Sequence, residues 1–205
     1  MLASGNKFQE KPRVFFVGLS IKPDCKHLDE DTQTGNVVAK IIQNIPSVSS
    51  IKTNLVKKPP LDRDGKLRYP NSKEMAEGWR LLRRDIDEAS PRLVVTLGQQ
   101  VSTFLRLQLG IRPEKPYLPG DYSYRSCLLS NNVEMLPVHH PSYIYIYRRK
   151  YIDNYVESIV QSIEASLSSA LESDPKVIYE TPTDQKAIRT SIYEEANSLR
   201  FAVNT

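Results

Sequence analysis

Cysteine is scarce in this chain, which has two cysteines, Cys25 and Cys127, among 205 residues. They are far apart and form no Cys-x-x-Cys pair, so they provide neither a disulfide framework nor a four-ligand metal site. The chain also lacks any run that approaches the ~18 apolar residues of a membrane span, and it begins without the apolar segment of a signal peptide. We therefore expect a soluble cytoplasmic protein whose cysteines are ordinary reduced thiols.

The net charge of +4 is unevenly distributed along the chain. Residues 151–205 contain nine acidic and four basic residues, a net charge of −5, so residues 1–150 carry +9. A basic body favours a partner such as nucleic acid, because phosphate contacts supply most non-specific affinity. A solvated basic face is the alternative that charge alone leaves open.

Apolar, β-branched runs alternate with helical patterns. The runs that predict buried strands are Val14–Gly18, Ser50–Asn54, Leu93–Leu97 and Val133–Val138. The helical patterns are one capped by Thr34, one that starts with a capping-box pattern at Asn71, one over Gln99–Leu109 and one over Asp153–Glu172. This alternation predicts a three-layer α/β/α domain with a central four-stranded parallel sheet over residues 1–172. Residues 173–205 are expected to form an acidic, partly helical C-terminal tail.

Polar residues and a glycine occur where three of the predicted strands end. Asn54, Gly98 and His140 occupy these positions. Active sites of parallel α/β sheets lie beyond the carboxyl ends of the strands, so the motif positions agree with the predicted fold.

Three motifs occur in a recognisable order. Segment 52–60 reads Lys-Thr-Asn-Leu-Val-Lys-Lys-Pro-Pro, segment 93–98 ends a strand on Leu-Gly, and segment 139–143 reads His-His-Pro-Ser-Tyr. Together they resemble the uracil-DNA glycosylase superfamily, particularly its bacterial and archaeal branches, over about residues 13 to 163. Some relatives bind an iron–sulfur cluster through four cysteines, one of which corresponds to Lys58. The other cluster ligands are missing, so we expect no cluster.

The resemblance implies roles for two residues. His140, directly before the proline, corresponds to the histidine that hydrogen-bonds a base oxygen as the base leaves as an anion. His139 is the alternative, and a histidine that ties down the following turn is another. Asn54 corresponds to the residue that reads the base, since its amide offers both a donor and an acceptor. The structural alternative is an asparagine that makes a turn where a strand ends.

The segment after His140 has the composition of a DNA-contacting loop. By resemblance it enters the minor groove beside the flipped base, with Tyr143 or Ile144 as the wedge. Tyrosines at alternating positions also fit an ordinary strand with one aromatic face. The expected phosphate contacts are Ser142, Arg148, Arg149 and Lys150, with Lys57 and Lys58 in a second basic loop near Asn54.

The first family motif departs from the pattern. Leu19 and Ser20 stand where a carboxylate or asparagine that positions the attacking water is expected. Asp31 is the candidate for that role from a nearby loop. The aromatic residue that normally stacks on the base has no clear counterpart between residues 23 and 35, where His27 has the only ring.

The leading hypothesis is a monomeric, monofunctional DNA glycosylase that excises uracil or a modified pyrimidine without metal or organic cofactor. The departures in the first motif make a bulky phage-type base, and hence anti-phage defence, credible. A catalytically inactive DNA-binding module of the same fold is the alternative. An enzyme of free nucleosides is a third, which the basic loops oppose.

Overall fold

The computed structural model describes residues 11–112, 117–118, 120–130 and 132–169. The strands are Arg13–Ser20 (β1), Ser49–Val56 (β2), Leu93–Leu97 (β3), Cys127–Ser130 (β4) and Val133–Val138 (β5). The helices are Gln33–Gln43 (α1), Ser72–Ala89 (α2), Gln99–Gln108 (α3), Pro141–Tyr147 (α4) and Ile152–Ser169 (α5), with a 3-10 turn at Arg149–Tyr151. The predicted tail at residues 173–205 lies outside the described residues, as does the predicted end of the last helix.

The strands form one mixed sheet in the order β2-β1-β3-β5-β4. β2, β1, β3 and β5 are parallel, which confirms the predicted four-stranded parallel core. β4 adds a fifth, antiparallel strand at the edge beside β5. β4 is not predicted from the sequence because its four residues are too few to show a periodic pattern.

Helices cover both faces of the sheet, as the prediction required. One apolar core lies between the sheet and α1, α4 and α5, and it includes Phe16, Val38, Leu136 and Ile159. The other lies between the sheet and α2 and α3. None of the helices in the described ranges has the length and hydropathy needed to cross a membrane.

Side-chain caps are present at the first residues of α1 and α2, and the cap of α1 differs from the predicted one. Asn71 accepts a hydrogen bond from Glu74 N, and Glu74 accepts one from Asn71 N, so the predicted capping box is present. The N-cap of α1 is Thr32, whose hydroxyl accepts from Gly35 N, and not Thr34. The prediction at Thr34 was wrong because Thr32 and Thr34 have the same capping chemistry and the sequence pattern does not separate them.

Candidate active site

Three motif residues lie at one edge of the sheet, where the parallel strands end. Asn54 lies near the end of β2, Gly98 directly follows β3, and His140 comes two residues after β5. β2 and β5 are separated by three strand spacings, about 14 Å at ~4.8 Å each. Asn54 and His140 therefore stand on opposite sides of the ends of β1 and β3.

The His140 imidazole caps α4 and has a defined tautomer. Its Nδ1 accepts a hydrogen bond from Ser142 N at 3.3 Å and lies 2.7 Å from Ser142 Oγ. A backbone N–H can only donate, so Nδ1 is unprotonated and the neutral ring carries its proton on Nε2. Burial lowers the pKa of His140 below its usual value, and the charge of Lys22 lowers it further. His140 thus presents a neutral ring with an Nε2–H donor.

Gly98 allows the His140 ring to lie against the end of β3. Its φ of 98° and ψ of 152° belong to a region that is open essentially to glycine alone. A Cβ at this position would lie 3.2 Å from both Cβ and Cδ2 of His140. The Leu-Gly motif therefore positions the histidine through backbone conformation and close contact.

His139 points into a different environment from His140. Its Nδ1 lies 2.8 Å from the hydroxyl of Tyr124, and its backbone carbonyl accepts a hydrogen bond from Tyr155 at 2.6 Å. Rings of Tyr117, Tyr122 and Tyr124 lie within about 6 Å of its ring. Burial lowers its pKa as well. These contacts make His139 part of a tyrosine cluster behind the strand end.

Asn54 is an internal strand residue and not a turn residue, so the turn alternative is wrong. β2 continues through Val56, and Asn54 is 2% exposed. Its Oδ1 lies over Gly18, where a Cβ would come within 2.3 Å of that oxygen. The same position is 3.0 Å from Cδ2 of Leu28. Glycine at position 18 therefore makes room for the Asn54 amide, and the Leu28 side chain borders the same space.

His27 also lies beside Asn54, although its sequence context predicts no role for it. Its Nδ1 lies 3.1 Å from Nδ2 of Asn54. Burial lowers the pKa of His27, the charge of Lys57 lowers it further, and the charge of Asp85 opposes them. The available sequence signal was the isolated ring of His27 in a segment where the family has an aromatic residue.

Asp31 lies in the loop that precedes α1 and is exposed. Its backbone N–H donates to Asp29 Oδ1 at 3.3 Å, and Asp29 also accepts from Lys26 N. In the described ranges no hydrogen bond or ion pair engages the Asp31 carboxylate. Asp29 therefore organises the loop, and the Asp31 side chain faces solvent.

The predicted phosphate-binding cations differ in their surroundings. Lys57 is half-buried and its Nζ forms an ion pair with Asp85, whereas Lys58 is exposed. The Arg149 guanidinium lies 5.1 Å from the centre of the Tyr145 ring. Lys150 is similarly placed over Tyr151, at 4.9 Å. Lys57 is thus already neutralised, while the exposed Lys58, Arg149 and Lys150 can reach an external phosphate.

The segment after His140 is a helix, so both the loop and the strand interpretation of it were wrong. Proline at its first position and the His140 cap favour this helix, which is α4. Ile144 is fully buried and packs in the core beneath α4, so it is not available as a wedge in this conformation. Tyr143 is half-buried and stacks 6.4 Å from His139. The exposed apolar side chains of α4 are Ile146 and Tyr147, at 57% and 70%.

The Ser142 hydroxyl contacts His140 in this structure, whereas a contact with a DNA phosphate was predicted. Because Nδ1 of His140 is an acceptor, the Ser142 hydroxyl donates its proton to the histidine. That proton is then not available to a phosphate oxygen. Ser142 orients His140 in this structure.

The part of the chain that the structure describes contains no cluster of three His, Cys, Asp or Glu residues able to hold a metal ion. Cys25 and Cys127 are not joined in a disulfide bond, and the Cys127 sulfur accepts a hydrogen bond from the Arg106 guanidinium.

Comparison with known proteins identifies the family. The sequence matches the model of the uracil DNA glycosylase superfamily over residues 6–164, most of the chain. No curated protein matches it significantly. The crystal structure of wild-type SMUG2 from Pedobacter heparinus is similar over 77% of each chain, at 11% sequence identity and a TM-score of 0.48. That structural similarity is too low to support an argument, whereas the family match covers the fold and all three motifs. The chain belongs to the uracil DNA glycosylase superfamily.

Proposed function

We propose that this protein is a monofunctional DNA glycosylase that hydrolyses the N-glycosidic bond of a flipped-out uracil or modified pyrimidine and leaves an abasic site. The observation that carries the proposal is the His140 imidazole, which is neutral and presents an Nε2–H donor at the carboxyl end of the sheet. The family to which the chain belongs acts on DNA, and the basic body of the protein agrees with that partner.

His140 acts on the departing base in this mechanism. As the bond from C1′ to the base nitrogen breaks, its electron pair moves into the ring and places negative charge on the base oxygen beside that nitrogen. The Nε2–H donor stabilises this charge, and a preorganised donor of this kind is worth about a hundredfold or more in rate. Because Ser142 N and the Gly98 contact hold the ring in place, it needs little reorganisation during the reaction.

A water molecule supplies the oxygen that bonds to C1′. Asp31 is our candidate for orienting this water and taking its proton, since its carboxylate is exposed and unengaged by the described residues. Asp31→Asn is expected to slow base release about a hundredfold, the lower end of the range of general-base contributions. Unchanged single-turnover rates in Asp31→Asn would remove this residue from the mechanism.

Asn54 reads the hydrogen-bonding edge of the base. The residue is 2% exposed, with Leu28 beside its amide oxygen, so Leu28 moves aside when the base enters. The backbone at Leu28 has a φ of 46°, an unfavourable value for a bulky side chain, and movement of this residue relieves that strain.

Exposed side chains of α4 fill the space that the flipped base leaves. Ile146 and Tyr147 are the apolar candidates. Arg149, Lys150 and Lys58 contact the flanking phosphates, which fix the register without reading sequence.

A panel of DNAs tests the proposal. It contains uracil, 5-substituted pyrimidines and phage genomes with substituted bases, in single- and double-stranded form, and mass spectrometry identifies the released base. We expect release of a free pyrimidine base and an abasic site without strand cleavage. DNA binding without release from any member of the panel would instead support an inactive binding module. Release from a substituted phage genome, but not from plain uracil DNA, would assign the protein to anti-phage defence.

A further inference from the structure

Two residues, His139 and His140, connect β5 to α4, and the second carries the donor of the proposed mechanism. β5 ends at Val138, whose carbonyl accepts a hydrogen bond from Gly98 N at 2.9 Å. The His140 carbonyl accepts from Tyr143 N at 3.0 Å, within the first turn of α4. The His139 carbonyl lies between these two bonds, past the end of the strand and before the start of the helix. A buried carbonyl in this position needs a donor from elsewhere in the chain.

Tyr155 of α5 supplies this donor. Its hydroxyl donates to the His139 carbonyl oxygen at 2.6 Å, across 16 positions of sequence. Tyr155 is fully buried, and burial raises the pKa of its hydroxyl well above the usual value, so the hydroxyl keeps its proton. The donor and acceptor roles in this bond are fixed, because a carbonyl oxygen can only accept. A side chain of α5 therefore sets the direction of the peptide that leads into His140.

The direction of this peptide determines where the His140 ring lies. A peptide unit is planar and rotates as one body, so turning the His139 carbonyl changes the φ of His140, which is −67°. This rotation would move the ring away from Ser142 N, which donates to its Nδ1 at 3.3 Å. It would also change the close contact with Gly98, where a Cβ would lie 3.2 Å from Cδ2 of the ring. The place of the Nε2–H donor thus depends on the hydrogen bond from Tyr155.

We propose that Tyr155 is a positioning residue that holds the Nε2–H donor of His140 against the departing base, through the His139 carbonyl. This inference rests on the proposed glycosylase function. Because the Tyr155 side chain is fully buried, it does not touch DNA. Tyr155 therefore acts on the rate of base release and leaves DNA affinity unchanged.

The neighbouring Tyr124 provides a matched control. It is also buried, and its ring lies edge-to-face with that of Tyr155 at 6.2 Å. Its hydroxyl contacts the same residue but at the ring, 2.8 Å from His139 Nδ1. Loss of the Tyr124 hydroxyl leaves the His139 carbonyl and its bond to Tyr155 in place. The two hydroxyls therefore separate the stability that a buried hydrogen bond gives from the positioning of His140.

Phenylalanine at either position removes one hydroxyl and keeps the ring. Thermal melts should show losses of about 2–12 °C for both variants, the range for one buried hydrogen bond in a chain of this size. Single-turnover base release at saturating DNA should fall at least about tenfold in Tyr155→Phe, since a misplacement of about 1 Å can cost a hundredfold. Tyr124→Phe should keep a near wild-type rate, and both variants should keep their DNA affinity. A wild-type rate in Tyr155→Phe, or equal rate losses in the two variants, overturns the proposal.

A double-mutant cycle with His140→Ala tests whether Tyr155 acts through His140. If it does, Tyr155→Phe should cause no further loss of rate once the His140 ring is absent. A residue that supports the site in a general way would reduce the rate by the same factor in both backgrounds. Equal factors therefore overturn the proposal.

Nuclear magnetic resonance tests the positioning without relying on activity. The 15N signals of the His140 ring, which report on its bond to Ser142 N, should shift in Tyr155→Phe and stay at their wild-type values in Tyr124→Phe. Unchanged His140 signals in Tyr155→Phe overturn the inference whether or not the enzyme is active. If wild-type protein releases no base from any DNA while the signals shift as expected, the proposed function fails and the positioning of His140 by Tyr155 stands.

Discussion

Replacing Ile144 or Ile146 with alanine separates core packing from DNA insertion on one short helix. Ile144 is fully buried, while Ile146 is 57% exposed two residues later. Truncation of a buried isoleucine costs about 2–5 kcal/mol through lost transfer energy and a cavity. At roughly 2–4 °C per kcal/mol for a chain of this size, Ile144→Ala should lower Tm by about 4–20 °C. Ile146→Ala should change stability by less than about 0.5 kcal/mol, as exposed substitutions do.

The effect on catalysis should be the reverse. Flipping a base from a duplex costs a few kcal/mol, and a wedge that fills the gap offsets part of that cost. Loss of about 1.4 kcal/mol from this contact corresponds to a tenfold slower release from duplex DNA. Single-stranded substrate needs no wedge, so its rate should change little in Ile146→Ala. Ile144→Ala, assayed well below its Tm, should keep the wild-type ratio of duplex to single-stranded rates.

The assay is single-turnover release of uracil from matched duplex and single-stranded oligonucleotides, with a thermal melt for each variant. Tyr147→Ala completes the set, since this side chain is 70% exposed on the same helix. Equal duplex and single-stranded effects in both exposed variants would refute the insertion role of α4. A duplex-specific defect in Ile144→Ala alone would show that the helix rearranges on DNA and that Ile144 is the wedge after all.

Other predictions address the pocket and the DNA surface. Asn54→Asp should shift the base preference from edges that present a carbonyl to edges that present an amino group, because the substitution replaces a hydrogen-bond donor with an acceptor. Competition between two labelled substrates measures this preference. An unchanged preference would give Asn54 a structural role. Replacing residues 148–150 together with alanine should reduce the slope of log affinity against log salt concentration by roughly 0.9 for each phosphate contact that is lost. The reduction should be equal for duplexes with and without a lesion, because phosphate contacts do not read the base. An unaltered slope would place these cations away from the DNA. Gly98→Ala should lower the stability by about 1–3 kcal/mol, because alanine is strained at the φ of this position, and a thermal melt measures this loss. The added Cβ should also displace His140 and slow single-turnover base release. A wild-type rate would mean that the close contact between Gly98 and the His140 ring is not required. The rate of base release should be constant above about pH 6.5 and should fall as the pH drops through the lowered pKa of His140. The reason is that only the neutral imidazole can accept the hydrogen bond from Ser142 N. A rate that rises as the pH is lowered would contradict a neutral His140 as the donor to the base.

The four parallel strands were predictable because each combines an apolar, β-branched run with a clear boundary. Leu93–Leu97 and Val133–Val138 were predicted with the bounds that the structure shows. Four residues of β4 carry too little pattern, and its partner β5 determines it through tertiary pairing. Local signals thus identified the parallel core and missed its antiparallel edge.

The positions of Asn54 and His140 at one edge of the sheet were predictable from their motifs, whereas the contact of His27 with Asn54 was not. Asn54 lies two residues before the end of β2 and His140 two residues after the end of β5, so the parallel topology brings them to one edge of the sheet. His27 reaches Asn54 across 27 positions of sequence, and its segment has no periodic pattern. The tyrosines at positions 143, 145 and 147 recur with the period of two that is typical of a strand. Pro141 at the first helical position and the His140 cap nevertheless favour a helix.

Side-chain burial and ion pairing limit the roles that Ile144 and Lys57 can have in this conformation. Ile144 had the right chemistry for a wedge, but its spacing from His140 places it on the inner face of α4. Lys57 belongs to a basic loop by sequence, yet its partner Asp85 comes from α2 and neutralises it. Neither fact can be read from the motif in which the residue occurs.

Alanine variants of the two adjacent histidines test the catalytic role of His140 most directly. Single-turnover base release is measured at saturating DNA, after a thermal melt confirms that each variant is folded. His140→Ala is expected to slow release about a hundredfold or more while DNA affinity is retained, since it removes the donor at the developing anion. His139→Ala, which loses contacts to the tyrosine cluster, is expected to stay within about tenfold of wild type, well short of the loss of a transition-state donor. Near-normal release by His140→Ala together with a large loss in His139→Ala would contradict the catalytic role of His140 and assign that role to His139.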